Sequence, residues 1–257
     1  MHSSFQKTLI GVAVAGTTLI GAQAQALGLS GNVGVASNYI WRGVSQTDDQ
    51  AAISGGLDLS TDMGIYLGTW ISNVDFSGTS QVRDVDGNVV TAKGDDKGYE
   101  MDLYGGYAGE WDKLGYDVGV ILYAYPTQDS SDDQLNFSEV YVGGSYALSD
   151  ALSIGANVAY TYWARANDGD DNWYYSANLD YALPIFNGID TSVYIGRYDF
   201  DNSSFADSYV HWGASVGKST DYGDFAIAYD QTDEDSGLDS DADNPRFTAS
   251  WTMAVDF

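Results

Sequence analysis

Seven ionisable side chains fall on the polar face of segments that alternate apolar and polar residues: Arg42, Glu100, Asp102, Glu139, His211, Asp230 and Arg246. Gathered at one level of a closed sheet, Arg42 and Arg246 would face Glu100, Asp102 and Glu139 across the ring. Such an arrangement sets up a transverse field that orders small dipolar or zwitterionic solutes and refuses apolar ones. The same groups could instead neutralise one another in an internal ion-pair network that plugs a narrow barrel. Asp58, Asp117, Asp180, Asp190 and Asp256 share that face nearer the opposite end. So do Tyr66, Trp70, Tyr104, Tyr123, Tyr125, Tyr141, Trp163 and Tyr174, whose rings could form a cation-attracting or sugar-stacking track or simply fill the lumen.

Hydrolytic chemistry lacks its parts. His211 is the only histidine beyond the amino-terminal stretch, and Ser215 lies four strand residues away, too far for a hydrogen bond at about 3.3 Å per residue. Asp230, on the following segment, could approach His211, which keeps a hydrolase as a remote alternative. With no cysteine, thiolate metal sites and disulfides are excluded, and the chain is read as a non-enzyme that needs no cofactor. Asp239, Asp241 and Asp243 have the spacing of a calcium loop without its glycine or distal glutamate, so a solvated acidic face is expected there, with divalent bridging to lipopolysaccharide as the alternative.

The elements that must hold these residues are strands. Twelve alternating segments are expected, at 29–43, 51–61, 64–74, 99–110, 114–125, 137–148, 151–163, 173–183, 188–198, 209–219, 223–230 and 246–257. Most are close to the roughly 9 to 11 residues with which a tilted strand crosses a bilayer. Connections after the even-numbered segments are short, whereas the others are long and polar, and six such outer loops carry 22 acidic and four basic residues. That asymmetry, with an even count, is the layout of an outer-membrane barrel. Within the longest loop, Asp86-Gly87 between two short alternating arms predicts a separate hairpin, with fourteen barrel strands as the alternative.

The outward face by this parity carries Val33, Val35, Leu57, Leu67, Leu103 and Val142. Tyr39, Trp41, Tyr107, Trp173, Tyr175 and Trp212 fall near the ends of the same face, as interfacial girdles do. Residues 1–26 have the Lys7, apolar run and small-residue close of a signal peptide, leaving 27–257 as a single barrel domain. Without Lys7, 37 acidic residues face 9 basic ones, about −28, which argues against nucleic acid as a partner. The terminal Phe257, with apolar residues at every second position before it, has the form of a barrel-assembly signal; a soluble sandwich explains the alternation but not this ending or the loop asymmetry.

The segments SNYIWRGVSQ at 37–46, ISGGLD at 53–58, GIYLGTWISNVDF at 64–76 and EMDLYGGY at 100–107 resemble the TorF-like family of proteobacterial porin-like proteins. The resemblance covers the first three or four strands and implies an outer-membrane address more firmly than a cargo. Together these readings give an all-β, antiparallel up-and-down barrel of about twelve strands in the cell outer membrane. It is expected to be a passive, cation-leaning channel for small polar or zwitterionic solutes, touching outer-membrane lipids and lipopolysaccharide and recognised at Phe257 by the barrel-assembly machinery. A closed structural or surface-interaction barrel with acidic loops is the alternative.

Overall fold

The computed structural model describes residues 28–76, 79–83, 89–93, 97–126, 136–164, 171–186, 188–201, 207–233 and 243–257. The expected leader, Asp239 and Asp241 lie outside them. Twelve strands form one closed antiparallel ring: β1 (Gly28–Ala36), β4 (Ala52–Ser60), β5 (Ile65–Asp75), β8 (Lys97–Trp111), β9 (Leu114–Ala124), β10 (Phe137–Ala147), β11 (Leu152–Ala164), β12 (Asn172–Leu183), β13 (Ile189–Asp199), β14 (Tyr209–Thr220), β15 (Gly223–Thr232) and β16 (Arg246–Asp256). Each pairs with its neighbour in sequence order, and β1 closes the ring on β16, from Ser30 opposite Asp256 to Ala36 opposite Ser250. The amide of Phe257 extends the seam by donating to the carbonyl of Leu29 at 3.0 Å. Closure leaves no strand edge, so the ring's backbone is satisfied without water.

Alternation sorts the two faces as expected. Leu67, Ile227, Val142 and Val33 are 61%, 62%, 55% and 53% exposed on the outside, while Glu100, Glu139 and His211 on the inside are nearly inaccessible. Inside, tyrosines lie flat across glycines of the next strand. A Cβ on Gly68 would enter the ring of Tyr104, so only glycine lets that ring cross to Asp58, whose Oδ1 accepts the phenol at 2.6 Å.

Two short hairpins stand apart from the ring. β6 (Thr79–Arg83) and β7 (Val89–Lys93) pair only with each other, as the Asp86-Gly87 signal predicts, so the barrel has twelve strands and not fourteen. The second corrects the first strand. β1 ends at Ala36 instead of Gly43, and β2 (Ile40–Trp41) pairs with β3 (Val44–Ser45) around a tight turn at Arg42 and Gly43. Both turn residues have positive φ, 51° and 84°, the two-residue reversal that suits a hairpin. Glycine is required at 43 twice over, for that φ and because a Cβ there would stand 2.6 Å from the Cβ of His211.

Candidate functional site

The β2–β3 hairpin folds into the barrel, and its turn is held in the lumen at the end opposite the termini. Asn38 starts the inward course: its amide nitrogen donates to Asp49 at 2.6 Å, and its Oδ1 accepts from Ser45 Oγ at 2.8 Å and Thr47 Oγ1 at 3.0 Å. Thr47 is wholly buried, and its Oγ1 takes the amide of Tyr39 at 3.1 Å. These short polar side chains satisfy backbone that would otherwise be stranded inside the ring.

At the turn, Arg42 makes a two-pronged contact with Glu139 of β10, Nη1 to Oε1 at 2.8 Å and Nη2 to Oε2 at 2.7 Å. Both residues are under 5% exposed. The guanidinium carbon lies 4.3 Å from the ring centre of Trp41, 4.0 Å from that of Tyr174 and 4.7 Å from that of Tyr198, so aromatic faces supply the rest of its solvation. The Tyr209 hydroxyl donates to the Arg42 carbonyl at 2.9 Å. Burial opposes the charge on Arg42, but the Glu139 carboxylate more than reverses that and holds the guanidinium firmly protonated. Glu139 also accepts from Tyr123 and Thr161, each at 3.3 Å.

The remaining carboxylates of this level have their own partners, with one exception. Glu100 accepts from Tyr39 at 2.7 Å and Tyr125 at 2.5 Å; burial, then the nearby Glu100 carboxylate, push the Tyr39 phenol up and keep it a donor. Asp230 accepts from Tyr194 at 2.5 Å, and Arg246 Nε donates to Asp49 at 2.6 Å. Asp102 Oδ1 is buried with no hydrogen-bond partner among the described residues. Nearer the termini, Tyr66 donates to Asp117 at 2.7 Å and is hydrogen-bonded to the hydroxyl of Tyr141.

The structure therefore brings Arg42, Glu100, Asp102, Glu139, His211, Asp230 and Arg246 into the lumen, together with Tyr66, Trp70, Tyr104, Tyr123 and Tyr141. It does not place Arg42 beside Arg246 on the closing strands. Arg42 reaches Glu139 from the turn of an inserted hairpin, and Arg246 is engaged by Asp49, so paired ions replace an open field between separated charges. Tyr39 and Trp41 also move from the expected outer girdle to the inside, where Trp41 packs edge-on against Tyr123, Phe137 and Tyr198. Trp163 makes the opposite move. A register shift at Ser138/Glu139 pairs Trp163 with Ser138 and leaves it 43% exposed.

Arg197 points outward, 52% exposed, to Asp199. Tyr198 and Tyr209, which clamp the hairpin, were not among the expected lumen residues, although the Tyr194, Gly196, Tyr198 alternation of β13 carries the signal. His211 Nε2 lies 3.0 Å from the Tyr174 hydroxyl, and among the described residues neither His211 Nδ1 nor Ser215 Oγ has a hydrogen-bond partner, so these two do not form a Ser–His couple.

The family model for Gcw_chp, described as a bacterial protein of unknown function, matches residues 21–256. No curated protein matches the chain. Among solved structures, it is similar to the KdgM porin, with a TM-score of 0.55 and 9% identity over 89% of this chain and 99% of that one. It is also similar to the NanC porin, with a TM-score of 0.50 and 15% identity over 89% and 98% of the two chains. At that identity the likeness is one of fold: a porin-type barrel.

Proposed function

We propose that this chain, which belongs to the bacterial Gcw_chp family, is a passive outer-membrane channel for small polar or zwitterionic solutes, with a preference for cations. The observation that carries this reading is the closed ring itself, apolar outside and lined inside by more carboxylates than basic groups. An apolar exterior on a ring without edges is what lipid demands of a strand-built span. A lumen rich in carboxylates concentrates cations. The porin-type fold and the resemblance of residues 37–46 and 64–76 to the TorF-like family support the same address. Phe257, 76% exposed at the end of the closing strand, is then the element recognised by the barrel-assembly machinery, and outer-membrane lipids and lipopolysaccharide are the barrel's other partners.

In planar bilayers across a potassium chloride gradient, the purified barrel should give small, cation-preferring currents. A reversal potential of the anion-selective sign would overturn the charge argument. A second reading, a closed structural barrel, is favoured by one observation, the hairpin seated in the lumen by Arg42 and Glu139. No current from either the native protein or a hairpin-released variant would decide for it.

The membrane address makes its own prediction. Val142 sits midway along β10 on the outer face. Val142→Arg should cost about 2–4 kcal/mol of barrel stability in lipid vesicles, as a cation at the bilayer midplane does. Urea unfolding checks it, and an unchanged midpoint would mean that this face does not meet lipid.

A further inference from the structure

Among the lumen carboxylates at the loop end, Asp102 stands apart. Glu139 holds Arg42, Glu100 accepts two phenols, Asp230 accepts Tyr194 and Asp49 holds Arg246. Asp102 is only 6% exposed, and among the described residues nothing donates to its buried Oδ1. A carboxylate oxygen removed from water and left without a donor is unfavourable, and within a membrane span such a group points to a partner from solution.

The surroundings define that partner's chemistry. In the antiparallel register Asp102 lies opposite Trp70 on β5 and Tyr123 on β9, with Tyr104 two residues along on its own inward face. Beyond Trp70, the position at this level on β4 is Gly56, which adds no side chain. An acceptor oxygen flanked by three aromatic residues suits a cation that carries N–H donors, since the oxygen takes a hydrogen bond and ring faces take the charge. A bare divalent ion needs several oxygens, and the described residues include no group of three or more acidic or histidine side chains that could hold one.

Tyr104 and Asp58 are only partly buried along the lumen towards the termini and mark the approach, while the hairpin covers the other side with Trp41 packed on Tyr123. We infer that Asp102, with Trp70, Tyr104 and Tyr123, is a lumen binding site for a small primary ammonium ion. This rests on reading the lumen as a solute path, and it adds to that reading a class of solute and a residue that selects it.

Calorimetric titration of methylammonium chloride into the detergent-solubilised barrel tests the site, with sodium chloride and tetramethylammonium chloride as comparators. Binding should weaken about tenfold or more in Asp102→Asn and for tetramethylammonium, which has no N–H, and about threefold or more in Trp70→Leu, which keeps the carboxylate. Asp117→Asn, whose carboxylate belongs to Tyr66, should bind within about threefold of the native protein. Heat-modifiable gel migration establishes that each variant is a closed barrel. Native-strength binding by a folded Asp102→Asn, or equal heat from sodium or tetramethylammonium, overturns the assignment. A native protein that conducts but does not bind methylammonium sinks the site alone, whereas native binding without conductance sinks the channel and keeps the site.

Discussion

Arg42→Ala should raise the single-channel conductance several-fold and lengthen the open time. The hairpin occupies the lumen through contacts that converge on this one side chain. Its two hydrogen bonds to Glu139 are short and parallel, and three aromatic rings lie within 4.7 Å of the guanidinium carbon. Removing it leaves Glu139 buried, with only the 3.3 Å contacts of Tyr123 and Thr161, and stranding one member of such a pair costs about 3–5 kcal/mol. At about 1.4 kcal/mol per tenfold change, the withdrawn hairpin should gain population by roughly a hundredfold or more, provided the loss falls on the seated state. Bilayer recordings of native and variant protein check this directly. Unchanged conductance would mean that the hairpin does not limit the path.

Most of the architecture is legible in the sequence because a strand crossing a membrane must repeat every two residues, and the repeat survives wherever one face is oily. Eleven of the twelve strands need only small adjustments at their ends, and the inside positions of Glu100, Asp102, Glu139, His211, Asp230 and Arg246 follow from parity alone. The first strand fails for the same reason that the others succeed. Tyr39 and Trp41 continue the phase of Val33 and Val35, so a two-residue period cannot distinguish a strand that runs on from one that stops and folds inward. Length does not distinguish them either, since 29–43 is no longer than β8, which runs through all 15 residues of Lys97–Trp111 as one strand. Arg42-Gly43 does carry half of the turn signal, its glycine at the second central position.

That one misplacement accounts for the misplaced arginine as well. On a continuous strand Arg42 would meet Arg246 at the seam, whereas on an inserted turn it crosses the lumen to Glu139. Trp163 fails differently. The register shift at Ser138/Glu139 leaves Tyr162 as an extra residue on β11 that no periodicity shows, and Trp163 beyond it turns outward. Parity turns Asp102 inward, but its lack of a partner for Oδ1 among the described residues emerges only when the phenols that serve Glu100 and Asp230 are seen to be elsewhere.

Glu139→Ala should make the peptide bond after Arg42 sensitive to trypsin. In the native protein Arg42 is 4% exposed, and its carbonyl is held by Tyr209, so a protease reaches this bond only in molecules whose hairpin has left the barrel. Cleavage then reports the population of the withdrawn state, as it does whenever opening and closing outpace the cut. Without Glu139 the guanidinium keeps its aromatic faces but has lost its counter-ion in a site that water does not reach. By the same cost of about 3–5 kcal/mol, cleavage at Arg42 should accelerate roughly a hundredfold or more, while the barrel strands stay resistant.

Glu139→Gln separates the two contributions to docking. Its amide oxygen can still accept one bond from Arg42 but cancels no charge, so its cleavage rate should fall between native and alanine. Mass spectrometry of the fragment ending at Arg42 gives the rate for each protein. If all three are cut equally slowly, the rings of Trp41, Tyr174 and Tyr198 hold the hairpin without the ion pair, and the conductance expected of Arg42→Ala would then have to come from loss of those ring contacts.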